Sequence, residues 1–198
     1  MMRKFLPYLI TGALILVVTA IYLYPGGSSE NKTQAGFSFL HNYWCDLLDI
    51  SAHNGQINHG RSFAMAAGIM ACMTLYLVMA ELGQFYGVNA LQKRMAKVAA
   101  ASSMVAASLL FSPWHNVFVT LLIVGLLVYL GLMALPVWNH TQISGNIITL
   151  VTFMTLALTA IIYYTTWSLT SLPWVQKISF LFLLILLHHL YRRIPASQ

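Results

Sequence analysis

The sequence predicts an all-α integral membrane bundle of six transmembrane helices, with a short amphipathic helix in the first outer loop. Apolar residues make up 59% of the 198 residues and charged residues only 7%, whereas soluble domains carry about 25% charged residues. Six apolar runs approach the length of about 20 residues that a membrane-spanning helix needs. Most lysines and arginines lie at the ends of these runs, as the positive-inside pattern requires. These observations exclude a soluble enzyme or a soluble binding module.

The six predicted spans follow one another along a single domain, residues 1–198. The first run is longer than a signal-peptide core and no A-x-A-like site follows it, so we interpret it as a retained anchor. The third run is short, and the sixth contains Lys177. The predicted spans are 5–24, 63–83, 97–112, 115–136, 146–167 and 174–191.

The basic residues predict which side of the membrane each end occupies. If six spans alternate, seven lysines and arginines share the side of the N-terminus and three lie on the other side. Both termini are therefore expected in the cytoplasm. The expected location of the chain is a bacterial inner membrane. The net charge of +6 forms no patch and accompanies no nucleic-acid motif, so no nucleic-acid partner is predicted. The seven are Arg3, Lys4, Lys93, Arg94, Lys97, Arg192 and Arg193, and the three are Lys32, Arg61 and Lys177.

Two further patterns concern helix packing. Small residues in spans 2 and 3, among them Phe63–Gly68 and Ala99–Ser103, predict that these spans pack closely at the centre of the bundle. Hydroxyl side chains recur at helical spacing in span 5. They are expected to bond their own backbone or a neighbouring helix, or to line a hydrated or lipid-headgroup cavity. The hydroxyl residues are Thr152, Thr155, Thr159, Tyr163 and Thr166.

The outer loop, residues 25–62, holds three of the four acidic residues and three of the seven histidines. At helical period, four of its polar residues form one stripe beside an apolar face. Ser38 is placed to cap the helix that this pattern predicts, and Asn54-Gly55 to end it. We expect the helix to lie at the outer interface with its stripe towards the bundle mouth, because an acid pair that faces lipid is costly. The stripe consists of Asn42, Asp46, Asp49 and His53.

The same loop carries the leading functional hypothesis, a non-catalytic pocket for a lipid headgroup or a small amphiphile. Arg61 and Lys177 would hold an anionic group, and Arg61 could also neutralise Asp46 or Asp49. A paired polar lid that binds nothing is the purely structural interpretation. The candidate ligand-binding residues are Asn42, Asp46, Asp49, His53, Asn58, Arg61, His115 and Lys177.

Three alternatives stay open. A metal-dependent membrane hydrolase would use zinc on a subset of the same outer cluster, although the chain contains no H-E-x-x-H or H-x-x-x-H sequence and no cofactor is predicted otherwise. Cys45 could be a nucleophile with His41 as its base. A structural subunit would dock a protein partner or a second copy through the lid. The candidate metal ligands are Asp49, His53, His59 and His115.

The stretch 37–61, written F-S-F-x-x-N-Y-x-C-D-L-L-D-x-x-A-x-N-G-x-x-N-x-x-R, resembles a group of uncharacterised bacterial six-span membrane proteins. The later Leu172-Pro173-x-x-Gln176-Lys177 is similar to the same group. More remotely, the chain resembles a bacterial membrane family known only as a domain of unknown function, and the group of damage-regulated autophagy modulators and a glycolipid-anchor remodelling factor. The close resemblance implies the architecture and draws attention to the outer loop. The remote one implies lipid handling.

Overall fold

The computed structural model describes residues 5–141 and 143–195, and in these ranges the chain is helical, without strands. Four of its helices, α2, α4, α5 and α6, are long and apolar enough to cross a membrane. Arg3 and Lys4, which entered the sidedness argument, lie outside the described residues. The helices are α1 (Leu6–Tyr22), α2 (Arg61–Tyr86), α3 (Ala90–Ser108), α4 (His115–His140), α5 (Ile143–Thr165) and α6 (Leu172–Tyr191), with one 3-10 helix at Trp44–Leu48.

The six helices match the six predicted runs, and the largest difference is at α3. It begins at Ala90 and not at residue 97, because the Asn89 side chain caps it by accepting a hydrogen bond from the Gln92 N–H at 2.8 Å. Its first turns therefore contain Lys93, Arg94 and Lys97. A hydropathy pattern detects only the apolar part of such a helix.

α2 is the central helix of the bundle. It packs against α1, α3, α4 and α6, while α5 packs mainly on α6. The main core cluster combines side chains from α2, α3, α4 and α6. The connection between α1 and α2, residues 23–60, forms a compact structure that we call the cap. It covers the end of the bundle where α2, α4 and α6 begin, which we call the capped end.

The small residues of α3 are confirmed as close-packing positions, but they face α4 as well as α2. A Cβ added at Gly125 of α4 would collide with the Ser103 hydroxyl and lie 3.3 Å from the Ala99 carbonyl oxygen. α2 and α3 approach closely near the uncapped end, where a Cβ at Gly83 would lie 3.1 Å from that of Ala96. At Gly68, nearer the capped end, a Cβ would meet nothing within 4 Å. Gly68 is therefore not a close-packing position, whereas Ala64 and Ala67 of the same segment are buried, Ala64 in a cluster with Ala20 of α1.

The threonine hydroxyl groups of α5 bond to backbone carbonyl oxygens and to α6. This confirms the expectation that they bond their own backbone or a neighbouring helix. Thr152 donates to the Ile148 carbonyl oxygen at 2.8 Å and contacts the Phe182 carbonyl oxygen of α6 at 3.2 Å. The hydroxyls of Thr159 and Ser179 lie 2.8 Å apart. These bonds join α5 to α6 in a segment where apolar packing alone gives little specificity.

Gly125→Ala is expected to lower the free energy of unfolding by about 1–2 kcal/mol, because overpacking at the contact with α3 outweighs the helix-propensity gain. The matched control is Gly131→Ala in the same helix, where an added Cβ meets nothing within 4 Å. This control should raise stability by up to about 1 kcal/mol. Thermal unfolding in mild detergent measures both variants, and a stabilised Gly125→Ala protein would contradict the packing described.

Candidate functional site

The cap is built around a buried carboxylate, Asp46, which is 5% exposed. Its Oδ2 accepts hydrogen bonds from Asn42 Nδ2 at 2.8 Å and from the Tyr43 N–H at 2.9 Å. His53 Nε2 lies 3.3 Å from Oδ1, at ion-pair distance but without hydrogen-bond geometry. Asn42 Nδ2 also donates to the Gly27 carbonyl oxygen at 2.8 Å. These contacts offset the cost of removing a carboxylate from water.

The predicted amphipathic helix is therefore wrong in extent, since only Trp44–Leu48 is helical and it forms a 3-10 helix. The short polar side chains bond the backbone around them and compete with α-helical hydrogen bonds. Asn42 Oδ1 accepts from the Ser38 N–H at 2.9 Å. Asn42, Asp46 and His53 do converge, but through this loop geometry and not along a helix face.

The start of the cap is closely packed. Gly27 has a φ of +82°, and a Cβ there would lie 2.5 Å from the Asn54 nitrogen, so the close approach requires glycine. Gly26 forms an antiparallel bridge with Ala35. Burial raises the pKa of Tyr24 to about 12, and its phenol donates to the Gly27 carbonyl oxygen at 3.3 Å.

The end of the cap is held by Asn58, which is 4% exposed. Its Nδ2 donates to the carbonyl oxygens of Leu47 and Asp49 at 3.0 and 3.1 Å, and its Oδ1 accepts from the Gly60 N–H at 3.0 Å. A Cβ at Gly60 would collide with the Ala20 carbonyl oxygen. The Asn58 amide thus fixes the cap where α1 and α2 meet.

Lys177 fastens the cap to α6. Its ammonium donates to the carbonyl oxygens of Asn42 at 2.5 Å and Pro173 at 3.1 Å. The same nitrogen lies 5.7 Å from the ring centre of Phe37 and 5.5 Å from that of Trp44, within cation–π range. Asn42, Asp46, Asn58 and Lys177 are therefore engaged inside the protein.

A second group of polar side chains lies at the mouth of the bundle around Asp49, whose residue surface is exposed. The partial burial of its carboxyl and then the negative charge of Asp46 raise the pKa of Asp49. His53, His115 and Arg61 act on it in the opposite direction. We call Asp49, Arg61 and His115 the mouth cluster.

Arg61 and His115 are only partly engaged. Arg61 Nε donates to the Leu48 carbonyl oxygen at 2.8 Å, and within the described residues its guanidinium makes no ion pair, so the predicted neutralisation of an aspartate by direct contact is not observed. His115 Nδ1 donates to the Leu110 carbonyl oxygen at 2.7 Å, and this bond does not involve Nε2. His59 is exposed.

The thiol of Cys45 is poorly suited to act as a nucleophile. Burial, with smaller effects from Asp46 and Asp49, raises its pKa to about 12, and the reactive form of cysteine is the thiolate. His41, the proposed base, lies 2.8 Å from Glu30 in an exposed ion pair. In addition, no three His, Cys, Asp or Glu side chains in residues 5–141 and 143–195 form a group that could hold a metal ion.

The chain matches no protein-family model, no curated protein and no solved structure. The sequence pattern selected Asn42, Asp46 and His53, which meet in the cap, and Asp49, Arg61 and His115, which lie at the mouth. It missed Tyr24, Gly27 and the Phe37–Trp44 pair under Lys177, for which the only signal was an aromatic-rich, glycine-rich loop.

Lys177→Met should loosen the cap, because it removes the cation while keeping an apolar stem. We expect a loss of about 1.5–3 kcal/mol in the free energy of unfolding, the usual contribution of hydrogen bonds from a charged donor. Amide hydrogen exchange should accelerate in residues 34–48. Lys32→Met, at an exposed cap lysine, is the control, and equal exchange in both variants would refute the fastening role.

Asp49→Asn should change the pH dependence of stability. The pKa of Asp49 is raised in the folded state, so the folded protein binds this proton more tightly than the unfolded chain does. The resulting contribution to the free energy of unfolding is complete below the ordinary pKa of 3.8. It is lost as pH rises through the folded pKa. Asparagine does not titrate, so the Asp49→Asn protein does not lose this stability as pH rises. Its melting temperature relative to wild type should therefore be higher at about pH 7 than at about pH 4, and a difference that stays constant or reverses would contradict the shift.

Proposed function

We propose that this chain is a multi-pass membrane protein that binds the phosphate-bearing headgroup of a membrane lipid at its mouth cluster, without chemistry of its own. The observation that carries the proposal is the state of Arg61. Its Nε is fixed on the cap, while no hydrogen bond to its two Nη groups is found among the described residues. A guanidinium positioned in this way presents paired donors that match a phosphate.

The neighbours of Arg61 favour a headgroup over a simple anion. The Asp49 carboxylate suits the ammonium group that zwitterionic headgroups carry beside their phosphate, and His115 Nε2, the acceptor nitrogen of the neutral ring when Nδ1 donates to Leu110, can also accept from that group. Arg61 is also the first residue of α2, where the helix dipole adds positive potential. Lys177, included in the sequence-based site, is instead assigned to holding the cap.

The proposed orientation places the capped end on the outer face of a bacterial inner membrane, with six spans and both termini in the cytoplasm. Lys93, Arg94 and Lys97 lie at the uncapped end, together with Arg192 and Arg193 just after α6. This distribution supports the positive-inside assignment. The cations of α3 would reach the interface by extending their side chains, so that α3 can serve as a short span.

A second candidate function is docking of a protein partner through the cap. It is favoured by four exposed apolar side chains, Phe39, Leu40, Ile50 and Ile57, which are 55–67% exposed. Exposed apolar groups of this kind are typical of contact surfaces. Under this function, lipid retention would not depend on Arg61.

Arg61→Gln tests the proposal sharply, because glutamine places a donor nitrogen where arginine has Nε and can keep the bond to Leu48 while losing the charge. Native mass spectrometry in mild detergent should show wild type with bound phospholipid and Arg61→Gln with about tenfold weaker retention, equivalent to about 1.4 kcal/mol. The loss follows from removing a charge-assisted contact to phosphate.

The control is Lys32→Gln, which removes an exposed cationic charge from the same cap and should retain lipid like wild type. Equal retention in all three proteins would overturn the proposal and favour partner docking. A small mass excess that disappears with a chelator would favour the metal-dependent hydrolase instead.

A further inference from the structure

An open groove runs between α2 and α3 in the half of the bundle near the capped end. Its volume is about 300 Å³, at the lower limit for ligand pockets. Its outer edge is exposed, since Ile69 and Met73 are about half exposed. The lining is almost entirely apolar and consists of Ile69, Cys72, Met73, Tyr76, Ala101, Met104, Val105 and Ser108.

Arg61 lies above this groove on the same face of α2. Gly68 follows Arg61 by seven residues, and Cys72 follows Gly68 by four. Both spacings place residues on the same face of an α-helix. At about 1.5 Å per residue, Ile69 and Tyr76 lie about 12 and 22 Å below Arg61 along the helix. One leaflet, with its headgroups, is about 20–22 Å thick. A groove at this depth lies beside the acyl chains of lipids whose headgroups are level with Arg61.

Gly68 supplies an independent observation. A glycine inside a helix costs about 1 kcal/mol relative to alanine, and packing within the chain does not require it, because an added Cβ would meet nothing within 4 Å. The residue lies between Arg61 and the groove. Its missing side chain leaves the surface of α2 open at this position, next to the upper end of the groove.

We propose that the groove between α2 and α3 binds one acyl chain of the phospholipid whose phosphate is held by Arg61. The cation at one end of the groove and the apolar lining below it match the two parts of such a molecule. This inference rests on the proposed function for the level and identity of the headgroup. The groove itself, its lining and the open space at Gly68 are independent of that function.

The test uses the full-length protein in phosphatidylethanolamine vesicles that contain a small fraction of phosphatidylethanolamine with a photoreactive diazirine in one acyl chain. After illumination, mass spectrometry maps the cross-linked residues. In wild type the cross-links should concentrate on the groove residues of α2 and α3. Gly68→Leu, which fills the open space beside the upper end of the groove, should reduce them several-fold.

Gly131→Leu is the matched control. An added Cβ at this helical glycine also meets nothing within 4 Å, but Gly131 lies in α4, which does not line the groove. It should leave the cross-links unchanged, and melting temperatures of both variants confirm that each protein is folded. Cross-links that are spread evenly over the helices, or that survive Gly68→Leu, would overturn the acyl-chain site.

Arg61→Gln separates this inference from the proposed function. If groove cross-links depend on Gly68 and weaken in Arg61→Gln, both are supported. If they depend on Gly68 but not on Arg61, the acyl-chain site is supported and the headgroup assignment fails. If lipid retention depends on Arg61 while the cross-links lie outside the groove, the headgroup site is supported and the acyl-chain site is overturned.

Discussion

The capped end depends on one constraint, the burial of the Asp46 carboxylate. A charged group this far from water must be paired and hydrogen-bonded, and the cap supplies an amide, a backbone N–H and an imidazole around it. Because Asn42 serves both Asp46 and Gly27, meeting this requirement also fixes the path of the preceding loop. The Asn42 carbonyl oxygen then receives Lys177, so the same network reaches α6.

This arrangement divides the polar residues of the capped end into two sets. Asn42, Asp46, Asn58 and Lys177 have their bonding capacity directed into the protein, and their loss would first disturb structure. Asp49, Arg61 and His115 keep capacity that the described residues do not use. Under the proposed function, the buried hydrogen-bonded set would hold the partly engaged set in position, as a preorganised binding site requires.

The helices could be predicted from the sequence because hydropathy is a local signal. The cap could not be predicted. Residues at i, i+4, i+7 and i+11 share an α-helix face, but Asn42 and His53 meet the Asp46 carboxylate here without an α-helix. The contact between Asn42 and Lys177 joins positions 135 residues apart, and no local pattern encodes it. For the site, the sequence identified the residue types but not which of them face inward.

The closed state of the cap bears on how a ligand would reach Arg61. The cap is closed by the cluster of Ala20, Tyr24, Leu47, Ala52 and Ala64 and by the bonds that fasten it to α6, whereas the mouth beside it is open, since Asp49 is exposed and Arg61 is partly exposed. The groove between α2 and α3, by contrast, opens on the side of the bundle. Under the proposed function, a membrane lipid would enter from this side with its headgroup already at the level of Arg61, and the cap would stay in place. The open side of the bundle, and not a movement of the cap, would therefore admit the proposed lipid to the mouth cluster.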